Sequence, residues 1–124
     1  MSHMVKIDLE VKDLSALKSA CKRLGMEFVE NQKTARYWGG TATCDHAIRV
    51  QGVEWEIGVK RDREVYILEA DFWGFESEMK EAVDSLKQMY AVEVAKKTAR
   101  MKGYSVKELR KEDGTILLRI TVGR

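Results

Sequence analysis

The chain has 124 residues, 44% hydrophobic and 34% charged, so it can bury one core and still cover itself with charge, which excludes a wholly disordered protein. Its 22 basic and 20 acidic residues leave a net charge of +2, too balanced to point to nucleic acid by bulk electrostatics. No apolar run is long enough to span a bilayer, and no basic start leads into an apolar signal segment; the expectation is a single domain over residues 1–124, cytoplasmic, with no membrane partner.

Met1-Ser2-His3-Met4 reads equally as a vector remnant and as a natural start, so His3 carries no functional weight. Val5, Ile7, Leu9 and Val11 alternate with Lys6, Asp8 and Glu10, the pattern of a half-buried strand. Asp13 is placed to cap a helix whose apolar face is Leu14, Leu17, Cys21 and Leu24, with Gly25 as its stop. Residues 26–30 begin a second strand, and 33–38 extend or follow it. Gly39-Gly40-Thr41-Ala42-Thr43 is then the most flexible-looking stretch of a chain whose only strong backbone punctuation, without proline, is glycine.

Residues 45–50 read as a strand that turns at Gln51-Gly52 into Val53, Trp55, Ile57 and Val59, alternating with Glu54, Glu56 and Lys60. A polar turn at 61–64 leads into Tyr66, Leu68, Ala70 and Phe72, which completes a three-strand antiparallel meander. Ser77 is the expected cap of a long helix to about Lys102, with Met79, Val83, Leu86, Tyr90, Val94 and Met101 as its buried stripe. Lys96, Lys97, Arg100 and Lys102 gather at its C-terminal end, where the helix dipole favours cations. A hairpin closes the chain: 106–111, an Asp113-Gly114 turn, then Ile116, Leu118, Ile120 and Val122 in alternation. This order predicts an α+β fold built on an antiparallel sheet (β-α-β, three-strand meander, long α, C-terminal hairpin) with two helices packed on one face.

The turns also predict a register. A four-residue loop at 61–64 pairs Lys60 with Val65, so Glu56 faces Glu69 and Glu54 faces Asp71; a two-residue turn at Gln51-Gly52 sets Arg49 opposite Glu54. Arg49, Glu54 and Asp71 then form a row across three strands, with Glu56 and Glu69 beside it, on the face opposite Ile48, Trp55 and Ala70. Like charges opposed across strands destabilise a sheet, so something must offset them. Neutralisation of a solvated face by Arg36, Lys6 or Arg119 is one reading; a docking face for a basic partner is the other. The acids lack the loop carbonyls or spaced ligands of a divalent-cation site, and no metal or other cofactor is expected.

Other candidates have plain structural readings. Cys44-Asp45-His46 places a thiol and an imidazole two residues apart, on one face if the segment is extended, which invites a nucleophile–base pair but equally fits loop-to-strand packing. Cys21 falls on the apolar helix face, as free cysteines often do, and a Cys21–Cys44 disulfide stays open. The glycine-rich stretch lacks the lysine of a P-loop and the spacing of a dinucleotide fingerprint. Tyr37, Trp38, Trp73 and Phe75 sit at strand ends near glycines, as lids on the core or, beside Arg36, as stacking surfaces for bases.

Several segments resemble one family: the Met-Ser-His start, Trp55-Glu56-Ile57-Gly58, Glu69-Ala70-Asp71-Phe72-Trp73-Gly74, Gln88-Met89-Tyr90-Ala91, Gly103-Tyr104 and Glu112-Asp113-Gly114-Thr115-Ile116. Together, and in this order through nearly the whole chain, they resemble domain-of-unknown-function family 1257, encoded in cyanobacteria, other bacteria and some algal plastid genomes. The resemblance implies a native Met-Ser-His start and supplies no enzymatic activity; the segment 36–44 departs from the family's usual pattern. Its best-matching block contains Asp71, Trp73 and Gly74, which directs attention to that strand-to-helix junction.

The expectation is therefore a non-enzymatic protein-binding or accessory module, with Arg49, Glu54, Glu56, Glu69, Asp71 and Trp73 as candidate partner-binding residues. The alternatives are single-stranded nucleic-acid binding through Arg36, Lys96, Lys97 and Arg100 with Tyr37 or Trp38, and an enzyme built on Cys44 and His46.

Overall fold

The computed structural model describes residues 4–123; the Met1-Ser2-His3 start lies outside them. The alternating N-terminal segment forms β1 (Val5–Val11), and Asp13 caps α1 (Leu14–Arg23), its Oδ1 accepting the Ala16 N–H at 3.0 Å. Gly25, at φ +73°, ends the helix in the left-handed conformation that glycine adopts without strain. There follow β2 (Glu27–Val29), β3 (Thr34–Tyr37), β4 (Gly40–Thr43), β5 (His46–Arg49), β6 (Glu56–Asp62) and β7 (Val65–Ala70). The long helix α2 (Glu76–Met101) and the hairpin strands β8 (Ser105–Arg110) and β9 (Ile116–Thr121) complete the chain.

The fold is α+β with an antiparallel main sheet, as the element order predicts. Its five strands run in the order β1-β7-β6-β5-β2. Both helices cover one face: Leu17 and Cys21 from α1, and Met79, Leu86 and Tyr90 from α2, join Ile48, Ile57, Val59 and Leu68 in one buried cluster. Tyr90 also reaches back to the start of α1, where its hydroxyl accepts the N–H groups of Lys12 and Asp13.

Not every strand belongs to that sheet. The C-terminal hairpin β8–β9 is a separate two-stranded ribbon, so Arg119 cannot neutralise the main sheet. A 26-residue helix is about 39 Å long, roughly twice the length of the strands beneath it, and it carries the chain past them. The ribbon is held instead against the helices, with Arg23 donating to both Glu108 oxygens and to Glu93, and Lys96 to Glu108. Met101, placed in the buried stripe from periodicity, lies at that far end and is 81% exposed. Nor does Ser77 cap α2: the helix starts two residues earlier than such a cap would set, with Phe75 at the cap position and no side-chain cap bond.

The glycine-rich stretch also departs from expectation. It is not a flexible loop but half of a hairpin, β3–β4, joined by the two-residue turn Trp38-Gly39. This hairpin lies on the sheet face opposite the helices, with Ala35 fully buried against β6. Its seat is Gly58, where an added Cβ would stand 3.4 Å from the Ala35 Cβ and 3.5 Å from the Cys44 Cβ.

The meander registers differ from expectation by two residues at each turn. Arg63, at φ +60°, turns the chain within two residues, so Asp62 pairs with Val65 and Gly58 with Glu69. Gln51-Gly52 does turn, with Val53 N–H bonded to the Val50 carbonyl, but pairing resumes only at Glu56, opposite Arg49. A shift of two preserves the pleat's alternation, so every side chain keeps the face expected of it while its neighbour changes.

Gly58 supplies the fold's test. Gly58→Ala makes only ordinary contacts and is expected to fold with little change. Gly58→Val pushes its methyl groups into Ala35 and Cys44 and is expected to lose about 1–3 kcal/mol in urea unfolding. Equal stability of the two variants would contradict this seating of the hairpin.

Candidate functional site

The corrected register and the covering hairpin change what the carboxylates do. Glu56 and Asp71 lie two residues beyond the Gly58–Glu69 pair on their respective chain segments. They are 3% and 2% exposed, so neither carboxylate reaches a partner from the surface. Both instead bind the backbone of the hairpin. Glu56 Oε1 accepts the Arg36 N–H at 2.9 Å and the Gln32 amide at 3.0 Å, while its Oε2 accepts Arg49 Nε at 3.1 Å. Asp71 Oδ2 accepts the Trp38 N–H at 3.0 Å, and its Oδ1 accepts the Trp73 N–H at 2.9 Å.

Arg36 and Trp38 are alternate residues, so two carboxylates on the sheet bind consecutive same-side N–H groups of one strand and its turn. Burial drives the Glu56 pKa up, but the hydrogen bonds from Arg36, Gln32 and Arg49 outweigh it and hold the pKa below its ordinary value. Arg49 also takes Gln32 and Glu27 as partners, at 3.0 and 3.5 Å. The Arg36 guanidinium donates to the Glu54 carbonyl at 3.0 and 3.2 Å and stands 3.9 Å from Glu56. Of the six expected site residues, Arg49, Glu56 and Asp71 are thus occupied in holding the hairpin down.

What this clamp presents is an indole pair. Trp38 and Trp73 meet with ring centroids 5.4 Å apart and planes tilted by 53°, yet they are 53% and 48% exposed. The Trp73 backbone is held at both ends: its N–H enters Asp71, and its carbonyl accepts the indole N–H of Trp55 at 2.7 Å. Trp55 itself is buried, edge-on to Phe75 at 6.0 Å. Gly74, at φ +79°, then turns the chain into α2, and its N–H donates to Glu76 Oε2 at 3.3 Å. Trp38, read from sequence as one of the strand-end aromatics but not among the six candidate residues, is brought against Trp73 by the fold. The available signal was Trp38-Gly39 as a two-residue turn between two short threonine-containing runs.

The other candidates do not assemble. The Cys44 thiol donates to the Gln32 carbonyl on the hairpin side, beside Gly58. His46 lies on the helix side between Phe28 and Tyr66, its Nδ1 accepting the Asn31 N–H at 2.9 Å. The two were expected to share a face and instead engage different partners on opposite faces. Burial raises the Cys44 pKa above its ordinary value, and it pushes Cys21 up to about 12. Neither position favours the thiolate a nucleophile needs, and both cysteines are free. Lys97 is paired with Asp13 and Lys96 with Glu108, on the helix side of the sheet from Arg36, Tyr37 and Trp38. Among the described residues, no group of three His, Cys, Asp or Glu side chains lies close enough together to hold a metal ion.

Two measurements test this arrangement. Glu56→Ala strands the Arg36 N–H and an arginine, and is expected to cost about 2–4 kcal/mol in denaturant unfolding, with Glu56→Gln retaining part of it; equal losses would show that the acceptor oxygens do not matter. Burial lowers the His46 pKa below its ordinary 6.5, so the unfolded chain takes up that proton first as pH falls. The resulting stability is complete above about pH 6.5 and is lost below it. The urea midpoint should therefore fall as the pH drops below about 6.5, and His46→Gln should flatten that slope.

No curated protein and no solved structure matches the chain, and no described helix is long and apolar enough to cross a membrane. A family model described as a protein of unknown function, DUF1257, matches residues 20–119. That match spans the clamp, the indole pair, the covering hairpin and most of the C-terminal ribbon, and the chain belongs to the DUF1257 family.

Proposed function

We propose that the chain is a single-domain, non-enzymatic binding module that docks a partner protein at the Trp38–Trp73 end of its sheet. The observation that carries this reading is an exposed indole pair whose two backbone N–H groups enter one buried carboxylate, Asp71. A large aromatic held rigidly at the surface gives up little conformational freedom on binding, which is why tryptophan dominates interface hot spots. Trp38, Trp73, Glu54 and Glu69 form the contact surface in this reading, while Arg49, Glu56 and Asp71 hold it in shape. Two free cysteines suit a reducing compartment such as the cytoplasm.

A photo-crosslinking residue at Thr41, on the exposed hairpin beside the pair, tests the reading in the cells that encode the protein. The expected outcome is a discrete crosslinked polypeptide that vanishes in Trp38→Ala and Trp73→Ala and is absent when the crosslinker sits at Leu117 on the C-terminal ribbon. The same products from both positions, or products indifferent to the tryptophans, would overturn it.

A further inference from the structure

We infer that the Trp38–Trp73 pair receives an arginine side chain from a basic segment of the partner; this rests on the docking reading above and names the chemistry of its contact. A cation is held by an indole when it lies within about 6 Å of the ring centroid. With the two centroids 5.4 Å apart and the planes opened by 53°, one cation at the mouth of the wedge can satisfy both rings. Trp38 and Trp73 are each about half exposed as residues, so the pair presents surface to a ligand.

The rim carries the complementary charge. Glu76 reaches the Gly74 N–H, one residue from Trp73, and Glu54 precedes the tryptophan that holds the Trp73 carbonyl. Neither carboxylate forms an ion pair with another described residue. The nearby cations are committed elsewhere: Arg36 to the Glu54 carbonyl and Glu56, Arg49 to Glu56, Gln32 and Glu27. Glu69 has Lys6 as its cross-strand neighbour, so it adds less. Arginine fits better than lysine here, because a planar guanidinium stacks on an indole while its edge donates two hydrogen bonds to a carboxylate.

The probe is a capped Gly-Arg-Gly-Arg-Gly peptide titrated into the wild-type protein, read by the indole N–H signals of its three tryptophans in a heteronuclear NMR spectrum. The Trp38 and Trp73 signals are expected to move and saturate, while Trp55, buried and bonded to the Trp73 carbonyl, moves least. Replacing arginine by citrulline keeps the shape and removes the charge; affinity is expected to fall roughly five- to thirty-fold, the worth of a cation shared by two exposed rings. Glu54→Gln with Glu76→Gln should weaken binding and blunt its dependence on salt. Equal binding of the citrulline peptide, no saturable shift, or a stronger response to oligouridine than to the arginine peptide would overturn the inference. If the Thr41 crosslink persists while the arginine peptide fails, docking stands and its arginine chemistry falls; if the crosslink fails too, both fall.

Discussion

Two buried carboxylates that accept backbone N–H groups from a covering hairpin are the interaction on which the rest of this structure depends. Glu56 takes the N–H of Arg36 and Asp71 that of Trp38, so the hairpin β3–β4 is bound through its main chain to the sheet face away from the helices. A carboxylate in such a place costs several kcal/mol in lost hydration, and it is tolerated only when its lone pairs are satisfied. Glu56 collects donors from Gln32, Arg36 and Arg49. Among the described residues, no buried side-chain polar atom is left without a hydrogen bond.

The same bonds explain how exposed tryptophans come to be ordered. An indole at a hairpin turn would ordinarily be free to move with the turn. Here Asp71 binds the turn residue Trp38 with one oxygen and the strand-end residue Trp73 with the other, and Trp55 holds the opposite end of the Trp73 peptide from within the core. Packing on the helix side thus reaches the far surface through one buried indole. Gly58 completes the arrangement by leaving room for Ala35 and Cys44 to lie on the sheet.

Much of this was legible along the chain and part was not, for reasons particular residues make plain. Alternation placed Ile48, Ile57, Val59 and Leu68 on the core face, because a pleat has period two and a register error of two residues leaves faces unchanged. Asp13 and Gly25 bounded α1 through local hydrogen bonding and backbone conformation alone. Periodicity misplaced Met101, since a helical stripe says which residues share a side but not where the neighbouring sheet ends. It also gave no warning that Cys44 and His46 part company, because the strand is interrupted between Cys44 and β5.

The sequence by itself determined the α+β class, the meander, the two helices and the collection of acids on one sheet face, since each follows from contacts between near neighbours in the chain. Only the tertiary structure decided what those acids are for. Whether Glu56 and Asp71 face water or a covering hairpin depends on β3–β4 folding back across the sheet, which separates donor and acceptor by 20 residues for Arg36 and Glu56 and 33 for Trp38 and Asp71. The pairing of Trp38 with Trp73 belongs to that same long-range closure.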